Sequence, residues 1–461
     1  MDRVGGAEAA AGSEAVVVIG CGAIGLPFAV ALAQRGCSVL GYDRDPARVA
    51  GLSDGTSIPD EPALAAALAG ALDAGRLRFA TALTAAIERR SFVLAVPTGW
   101  DAARGLEREP LDAAVDAVAA VARPGDALFL RSTVPVGTAR ALARRLAAAG
   151  LDLAVAAIPD RTAEGRNFAE QFDLPHLVGG LGAAAGARAA SLVARLGPVV
   201  ELGAPEAAEA AKLFCNMARD VMFGLANEIA EMCETLGLDG HAILAAAAAG
   251  YPRFSVPRPG PVGGPCLSKD TMLLAASLPE GRPTIGRAAR AVNLRLLDRV
   301  AAVIGDHLRQ AARAQPRVAL LGIAFKGRPA VADWRGSAAL AVAGRLRTAW
   351  PGIELAAWDA EIDAATLGRL GLAAAPDPAG AARGADVVLL ANDHPALAVL
   401  DLAGLARLCR QPVLLYQLCG RPAAAPVLAA GQRLAFLGDG TAARGSRRDE
   451  AASAAALEIG R

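Results

Sequence analysis

Residues 16–45 read VVVIGCGAIGLPFAVALAQRGCSVLGYDRD, and their pattern indicates the fold of the first half of the chain. The apolar run that begins at Ala15 is typical of a buried strand, and a turn with three glycines follows it. The apolar stretch Leu26–Arg35 then predicts a helix, and Ser38–Tyr42 predicts a second strand. The stretch therefore predicts a βαβ unit.

Three glycines after the first strand have the spacing of a dinucleotide-binding turn. The first permits the tight turn, the second lets a pyrophosphate approach the backbone, and the third allows the helix to pack closely on the strand. The helix N-terminus then offers free N–H groups to phosphates. Asp43 ends the next strand, where it would accept both ribose hydroxyls and repel a 2′-phosphate, which favours NAD over NADP. The predicted residues of the turn are Gly20, Gly22, Ala23, Ile24 and Gly25.

Strand-like apolar runs alternate with helical segments in two separate regions of the chain. Each region predicts a parallel sheet with helices on both faces. Between them, Glu206 to about Leu236 lacks proline and predicts one unusually long helix. The predicted fold class is α/β, with two Rossmann-like doubly wound domains joined by a long central helix and a helical middle domain. The predicted segments are a flexible tail (1–14), an NAD-binding Rossmann domain (15–203), a central helical domain with the cysteine loop (204–314), a second Rossmann-like domain (315–440) and a second flexible tail (441–461).

The composition excludes several classes of protein. The 461 residues carry 47 basic and 46 acidic side chains, so nothing global attracts the chain to nucleic acid or to an anionic membrane. We find no uninterrupted apolar stretch of about 20 residues that could cross a bilayer. The seven cysteines form no CxxC pair and the four histidines are isolated, so we expect a cytoplasmic protein without a catalytic metal.

One cysteine stands out in the segment PRPGPVGGPCLSKD, residues 257–270. An arbitrary cysteine is most often a small buried thiol, and Cys215 is interpreted in that way. Cys266 differs because two glycines ahead of it allow a ligand to approach the backbone, and charged side chains follow it. On the predicted long helix, Lys212 and Asn216 are one turn apart and project from one face.

These motifs, in this order, resemble the UDP-glucose/GDP-mannose dehydrogenase family from Ala15 to about Gly440. The similar segments are VIGCGAIGLPFA, AVPT, STVPVGT, IPDRTAEG, AAKLFCNMARDVMFGLANE, GGPCLSKD, GIAFKG and DWRGS. The combination of PDRTAEG, LPHLVGG and YPR most resembles the UDP-N-acetylhexosamine branch, whose members oxidise UDP-N-acetylglucosamine or UDP-N-acetylmannosamine at C6. The resemblance implies NAD as cofactor, a UDP-sugar substrate that is bound by the domain at 315–440, and a homodimer formed through the central helix.

The resemblance also implies a role for each matching residue. The implied catalytic residues are Cys266 as nucleophile, Lys212, Asn216 and Asp270 as its neighbours, Glu164 for hydrolysis of the acyl intermediate, and Thr133 with Asp160 for holding water. The implied further cofactor contacts are Arg48, Thr98, Thr133 and Arg335. The implied substrate contacts are Arg161, Glu164, Lys212, Asn216, Arg253, Gly263, Gly264, Phe325 and Lys326, of which Arg253 comes from a neighbouring subunit in some members.

Two departures from the family pattern affect these expectations. Asp160 stands where glutamate is usual, which shortens its reach by one methylene and leaves its role in placing water open. Ser268 replaces a common proline and is expected to loosen the cysteine loop.

Three alternatives remain open from the sequence. A UDP-glucose 6-dehydrogenase would share every catalytic residue and differ only around C2 of the sugar. A dehydrogenase of hydroxy acids or 6-phosphogluconate would share the first domain and the long helix but would not need the cysteine in GGPC. A non-catalytic regulator that binds NAD or a nucleotide sugar would not need Lys212, Asn216, Cys266 and Asp270 together.

Overall fold

The computed structural model describes residues 15–56, 61–85, 89–101, 104–279, 284–421 and 426–440. The two segments that we predicted to be flexible tails, 1–14 and 441–461, lie outside the described residues. The described residues form two compact units. The first contains residues 15–215 and 272–279, and the second contains residues 216–271 and 284–440. The helical middle region therefore contributes to both units.

The first unit is an α/β structure with one large sheet. Its described strands are β1 (Ala15–Ile19), β2 (Val39–Tyr42), β3 (Leu77–Ala80), β4 (Arg90–Leu94), β5 (Gly99–Asp101), β6 (Gly105–Glu107), β7 (Ala127–Leu130), β8 (Ala154–Ala157), β9 (His176–Gly180) and β10 (Val199–Glu201). Its described helices are α1 (Gly25–Gln34), α2 (Pro46–Ser53), α3 (Pro62–Asp73), α4 (Glu109–Ala119), α5 (Thr138–Ala148), α6 (Glu170–Asp173) and α7 (Ala183–Val193).

The predicted βαβ unit is confirmed, because β1 pairs with β2 in parallel and α1 connects them. The sheet has the strand order β10-β9-β8-β7-β4-β1-β2-β3. The prediction of a parallel sheet is wrong at one place, because β9 runs antiparallel to β8. The link between these strands contains only α6, a helix of four residues that is too short to serve as a crossover helix. The antiparallel hairpin of β5 and β6 was not predicted.

Apolar layers cover both faces of this sheet. Val16 and Val18 of β1 belong to one buried cluster, whereas Val17 and Ile19 belong to another. Since alternate residues of a strand point to opposite faces, both faces of β1 are buried. This is the arrangement that the uninterrupted apolar run predicted.

The predicted long helix is confirmed as α8 (Pro205–Leu236), which has 32 residues. It begins at Pro205, whose missing N–H group is no loss at the first position of a helix. It ends before Gly237, which has a φ of 69° and so adopts the left-handed conformation that terminates many helices.

The second unit contains a sheet whose strands are all parallel, as predicted. After α8, its described helices are α9 (Gly240–Ala248), α10 (Leu267–Ala276, whose last turns belong to the first unit), α11 (Ile285–Ala311), α12 (Ala338–Ala349), α13 (Ala364–Arg369), α14 (Pro378–Ala382), α15 (Pro395–Ala398) and α16 (Leu402–Leu408). Its strands are β11 (Arg317–Leu321), β12 (Glu354–Trp358), β13 (Ala373–Ala374), β14 (Val387–Leu390), β15 (Val413–Gln417) and β16 (Gln432–Phe436), in the spatial order β13-β12-β11-β14-β15-β16. Among the described helices, none is both long and apolar enough to cross a membrane.

Candidate functional site

The glycine-rich turn between β1 and α1 has the geometry of a dinucleotide site. Gly20 has a φ of 90°, and a methyl group there would lie 2.9 Å from the carbonyl oxygen of Ala95. A methyl group at Gly25 would overlap the carbonyl oxygen of Gly20, so only glycine lets α1 approach β1 this closely. A methyl group at Gly22 would meet no described atom within 4 Å. The turn is therefore closely packed at Gly20 and Gly25, whereas the space beside Gly22 is open and could receive a pyrophosphate.

Asp43 lies directly after β2, with its carboxylate beside this turn. Its Oδ2 atom accepts a hydrogen bond from the backbone N–H of Cys21 at 2.9 Å. Its Oδ1 atom accepts one from the N–H of Asp45 at 3.1 Å. Arg48 lies on α2, and its Nε atom is 4.0 Å from Asp43 Oδ2. These contacts orient the carboxylate that we predicted to bind a ribose.

The carboxyl ends of β4 and β7 bring two further predicted residues together. The Thr98 hydroxyl donates a hydrogen bond to the carbonyl oxygen of Thr133 at 2.7 Å. Ser132 donates to the carbonyl oxygen of Val96 at 2.7 Å, which joins the same two segments again. Since β4 pairs in parallel with β1, and β7 pairs in parallel with β4, these residues lie at the same edge of the sheet as the glycine-rich turn.

Asp160, which follows β8, is buried and already accepts hydrogen bonds at both carboxylate oxygens. Its Oδ1 atom accepts from Arg131 Nη2 at 2.5 Å. Its Oδ2 atom accepts from the N–H and the hydroxyl of Thr162, at 3.2 and 2.8 Å. Protein donors thus occupy the carboxylate that the resemblance assigned to water. The nearby Arg161 donates to the carbonyl oxygen of Pro175, and both Arg161 and Glu164 are half-buried.

Lys212 and Asn216, which we predicted to project from one face of α8, are both buried. Glu209 lies one turn before Lys212 and was not predicted. It caps α5, because its two carboxylate oxygens accept hydrogen bonds from the N–H groups of Gly137 at 2.6 Å and Ala139 at 2.7 Å. Burial raises the pKa of the Glu209 carboxyl to about 7.

Cys266 is exposed and immediately precedes α10, at the N-terminal end of that helix. Its carbonyl oxygen accepts the N–H groups of Lys269 and Asp270, at 3.1 and 2.9 Å. The partial positive charge at a helix N-terminus favours an anionic sulfur at this position. The carboxylate of Asp270 is fully buried, and it accepts hydrogen bonds from Asn216 Nδ2 at 2.6 Å and from Lys269 Nζ at 2.9 Å. The structure therefore joins two of the predicted neighbours of the cysteine.

The other cysteines are mostly buried, with Cys419 partly accessible and Cys215 exposed. Burial raises the pKa of the Cys21 and Cys419 thiols to about 12 and that of Cys409 to about 11, so these thiols stay protonated at neutral pH. The interpretation of Cys215 as a buried thiol is wrong, because it is exposed on α8. Exposure therefore does not distinguish Cys266 from Cys215, whereas its position at a helix N-terminus does.

Two glycines let the cysteine loop contact the loops that follow β11. Gly264 has a φ of 87°, and a methyl group there would lie 2.6 Å from the ring of Phe325. A methyl group at Gly263 would overlap the carbonyl oxygen of Gly336. Ser268 was expected to loosen this loop, but its hydroxyl donates a hydrogen bond to the carbonyl oxygen of Gly264 at 2.8 Å. That bond ties the loop to the first turn of α10.

The remaining predicted residues of the second unit are less closely grouped. Lys326 Nζ lies 5.4 Å from the ring centroid of Phe325. Arg335 forms an ion pair with Asp333 at 2.6 Å. Arg253 is exposed and its guanidinium stacks on Tyr251 at 4.8 Å, so the structure does not join it to the cysteine loop.

The sequence analysis missed a buried polar cluster that holds the cysteine segment. Asp220 on α8 accepts hydrogen bonds from Arg290 Nη1 at 3.0 Å and Asn293 Nδ2 at 2.7 Å. Thr271 of α10 donates to the same carboxylate at 3.4 Å. Asn227 exchanges two hydrogen bonds with the backbone of Gly260, at 2.8 and 3.0 Å. An aspartate within the apolar stretch of α8 was the available signal.

Comparison with known proteins agrees with this arrangement. Models of three domains of the UDP-glucose/GDP-mannose dehydrogenase family match the chain: the NAD binding domain over residues 14–196, the central domain over 206–295 and the UDP binding domain over 319–418. The chain belongs to this family. It is an NAD-dependent nucleotide-sugar dehydrogenase with the three-domain α/β architecture of that family, which confirms the predicted fold class and cofactor.

Individual relatives in the family extend the likeness over most of the chain. The UDP-N-acetyl-D-mannosamine dehydrogenase of Yersinia pestis is 31% identical over 402 residues, which cover 83% of this chain and 94% of that protein. The NDP-N-acetyl-D-galactosaminuronic acid dehydrogenase of Ralstonia nicotianae is 32% identical over 345 residues, covering 71% and 78%. The solved structure of a UDP-D-ManNAc dehydrogenase from Pyrococcus horikoshii matches with a TM-score of 0.82 at 27% identity, covering 92% of this chain and 99% of that one.

The raised pKa of Glu209 predicts a specific pH dependence of stability. Because its folded pKa is about 7 against an ordinary value of 4.5, the folded protein holds this proton more tightly than the unfolded chain. The contribution of Glu209 to the free energy of unfolding is therefore full below about pH 4.5 and decreases as the pH rises through 7. Glu209→Gln removes this dependence. In urea titrations, the unfolding free energy of the wild type should therefore fall relative to that of the variant from pH 5 to pH 8.

Glu206→Gln, on the same helix, is the matched control. Ion pairing with Arg140 lowers the pKa of the Glu206 carboxyl, so its titration lies below this pH range. A Glu209→Gln variant whose unfolding free energy follows pH in parallel with wild type from 5 to 8 would contradict the assignment.

Proposed function

We propose that this chain oxidises the C6 hydroxymethyl group of a UDP-N-acetylhexosamine to the carboxylate, through a thiohemiacetal and a thioester on Cys266. The observation that carries the proposal is the position of Cys266. The thiol is exposed at the N-terminus of α10, one turn before the buried carboxylate of Asp270, in a loop that contacts Phe325. These groups together supply a nucleophile, a fixed hydrogen-bond network beside it and a contact to the UDP binding domain.

The cofactor would be held at the carboxyl edge of the first sheet. Gly20, Gly22, Ala23, Ile24 and Gly25 would receive the pyrophosphate, and Asp43 with Arg48 would meet the ribose. Thr98 and Thr133 lie at the same edge, and Arg335 stays a cofactor contact that the family resemblance implies. Each NAD+ accepts one hydride, so oxidation of an alcohol to a carboxylate takes two cofactor molecules in succession.

The cysteine accounts for the second oxidation and for retention of the aldehyde. Loss of a hydride and a proton from the alcohol gives the aldehyde, and the thiolate adds to its carbon to form a C–S bond. The thiohemiacetal then loses a second hydride and becomes a thioester. Water attacks the thioester, the C–S bond breaks, and the carboxylate leaves while the thiol is restored.

Lys212 and Asn216 would stabilise the negative oxygen of each tetrahedral stage. A preorganised donor at such an oxygen is worth roughly 3–4 kcal/mol, and both side chains are buried, so they need little reorganisation. Asp270 would orient Asn216 through their hydrogen bond. Glu164 would assist the attack of water on the thioester, and Thr133 would help to hold that water.

The nucleotide of the substrate would supply binding energy away from the reacting carbon. Lys326 and Phe325 lie directly beyond β11, at the carboxyl edge of the second sheet, which is the usual binding edge of such sheets. Gly263 and Gly264 would contact the substrate only through their backbone, because Gly336 and Phe325 fill the space where their side chains would stand, and Arg161 would contribute a charge. The sugar is proposed from the relatives of Yersinia pestis and Ralstonia nicotianae, both named for N-acetylated sugars.

We also propose that the chain forms a homodimer through α8. Phe214, Leu225, Met232 and Leu236 are all exposed on this helix. They are separated by close to whole numbers of turns, so they form one apolar stripe. A second copy of α8 would cover this stripe, and the exposed Arg253 would be free to act in the neighbouring subunit.

Four expectations about the surroundings of the protein stay predictions. They are a cytoplasmic location, no binding to nucleic acid, no membrane association and no catalytic metal. The domain boundaries at 203, 314 and 440 likewise stay predictions.

A panel of UDP-N-acetylmannosamine, UDP-N-acetylglucosamine and UDP-glucose tests the proposed reaction, with NADH absorbance and product mass as readouts. We expect an N-acetylhexosamine to be oxidised with two NADH formed per sugar, because the product is a carboxylate. A ratio of one would mean that the reaction stops at the aldehyde. Preference for UDP-glucose would mean that the enzyme forms UDP-glucuronate. Absence of NADH formation with all three sugars would favour a non-catalytic regulator.

Cys266→Ser tests the covalent route on the preferred sugar. The variant should bind NADH and the UDP-sugar but release no carboxylate, because a serine hydroxyl cannot provide the thioester. Cys215→Ser, which alters the other clearly exposed thiol, should keep carboxylate production within about twofold of wild type. Normal uronate production by Cys266→Ser would refute the mechanism.

A further inference from the structure

Arg131 lies directly after β7, and its side chain is only 2% exposed. Its Nη2 atom donates to Asp160 Oδ1 at 2.5 Å and to Gln171 Oε1 at 2.9 Å. Its guanidinium also lies 4.1 Å from the ring centroid of Phe28 on α1. One buried cation therefore contacts the segment after β8, the short helix α6 and the helix that follows the glycine-rich turn.

The hydrogen bonds continue from Gln171 to the dinucleotide turn. Gln171 Nε2 donates to the carbonyl oxygen of Asn167 at 2.9 Å. Asn167 Nδ2 in turn donates to the carbonyl oxygen of Ala23 at 2.7 Å. Asn167 and Gln171 are buried, so little water competes for these bonds. Arg131 is thus connected to Ala23 through Gln171 and Asn167.

The same network fixes both ends of the segment that carries Glu164. Asp160, held by Arg131, accepts two hydrogen bonds from Thr162 on one side of Glu164. Asn167, held by Gln171, lies on the other side. Glu164 therefore lies within a short loop whose two anchors both lead back to Arg131.

We propose that Arg131 is a positioning residue that sets the dinucleotide turn and Glu164 together, with Asp160 as its counter-ion and not as a holder of water. The part that concerns Glu164 rests on the proposed function. The part that concerns the turn does not, since it depends only on contacts within the first unit. The members of this Arg131 network are Ala23, Asp160, Thr162, Asn167, Gln171 and Arg131.

Charge and shape both explain an arginine at this position. Its planar group reaches three acceptors, because Nη1 also donates to the carbonyl oxygen of Ile158 at 3.4 Å. His176 lies beside the cluster, with Nε2 2.9 Å from the carbonyl oxygen of Gln171. Burial, with a contribution from Arg131, lowers the pKa of His176 to about 4, so it adds no second positive charge at neutral pH.

The test is a double-mutant cycle of Arg131→Lys and Asn167→Ala, read as the dissociation constant of NADH by fluorescence titration without sugar. Lysine keeps the charge but cannot reach three acceptors at once. We expect each single variant to weaken NADH binding about tenfold, roughly the effect of losing one buried hydrogen bond. We expect the NADH dissociation constant of the double variant to be at most about twofold above that of the more strongly affected single variant. Both changes break the same series of hydrogen bonds.

Arg90→Lys is the matched control. Arg90 is a buried arginine of the same sheet that pairs with Asp126 at 3.4 Å and lies outside the Arg131 network. It should leave the NADH dissociation constant within about twofold of wild type. Single-variant effects that multiply to about hundredfold, or a folded Arg131→Lys variant with unchanged NADH affinity, would overturn the proposal. If Arg131→Lys does not fold, Gln171→Met replaces it in the cycle with the same expectations.

Asp160→Asn separates the counter-ion role from a role in holding water. If Asp160 is the counter-ion, the variant weakens NADH binding by several-fold and slows the release of carboxylate. If Asp160 holds water, carboxylate release slows while the NADH dissociation constant is unchanged, and the proposal fails. Because NADH titration needs no sugar, failure of the proposed oxidation would leave this result interpretable.

Discussion

The absence of side chains at Gly263 and Gly264 is the constraint on which the site in the second unit depends. Any larger residue would collide with Phe325 or with the backbone of Gly336. Close approach of these loops places the start of α10 beside the UDP binding domain. Cys266 occupies that start, so its sulfur experiences the field of the helix N-terminus while remaining exposed.

In each unit, a buried polar cluster connects the segments that carry the proposed functional residues. In the first unit Arg131 connects the dinucleotide turn with the segment of Glu164, and in the second unit Asp220 connects α8, α10 and α11. Such groups are costly to bury unless they are hydrogen bonded, since an unsatisfied buried donor or acceptor costs about 1–3 kcal/mol. We therefore attribute these clusters to the need for a fixed geometry in the proposed site and not to a need for stability.

Local patterns predicted most of the fold because they reflect local physics. The apolar run at Ala15, the glycines that follow it and the proline-free stretch of α8 each specify their own conformation. The antiparallel strand β9 was missed because its direction depends on the length of α6, which no apolar period reveals. Cys215 was misjudged because the general tendency of cysteines to be buried says nothing about the face of α8 on which this one lies, and that face is exposed.

The sequence could predict those residues of the candidate site that lie within contiguous motifs. The pairing of Asn216 with Asp270 and the ion pair of Arg131 with Asp160 join residues far apart in the chain, and a single sequence carries no signal for such partners. The strand-terminal Asp359 was also missed, although it follows β12 as Asp43 follows β2. It accepts hydrogen bonds from the N–H groups of Ile323 and Ala324, at 2.5 and 2.8 Å, just before Phe325.

The most direct measurement of the central claim is the mass of the cysteine peptides after acid quench during turnover. A Glu164→Gln variant, in which hydrolysis of the thioester should be slow, is mixed with NAD+ and the preferred UDP-sugar, quenched and digested. We expect a mass increment equal to the acylated sugar nucleotide on the peptide that contains Cys266. A quenched enzyme that has formed NADH but carries no increment, or carries it on another cysteine, would contradict the account.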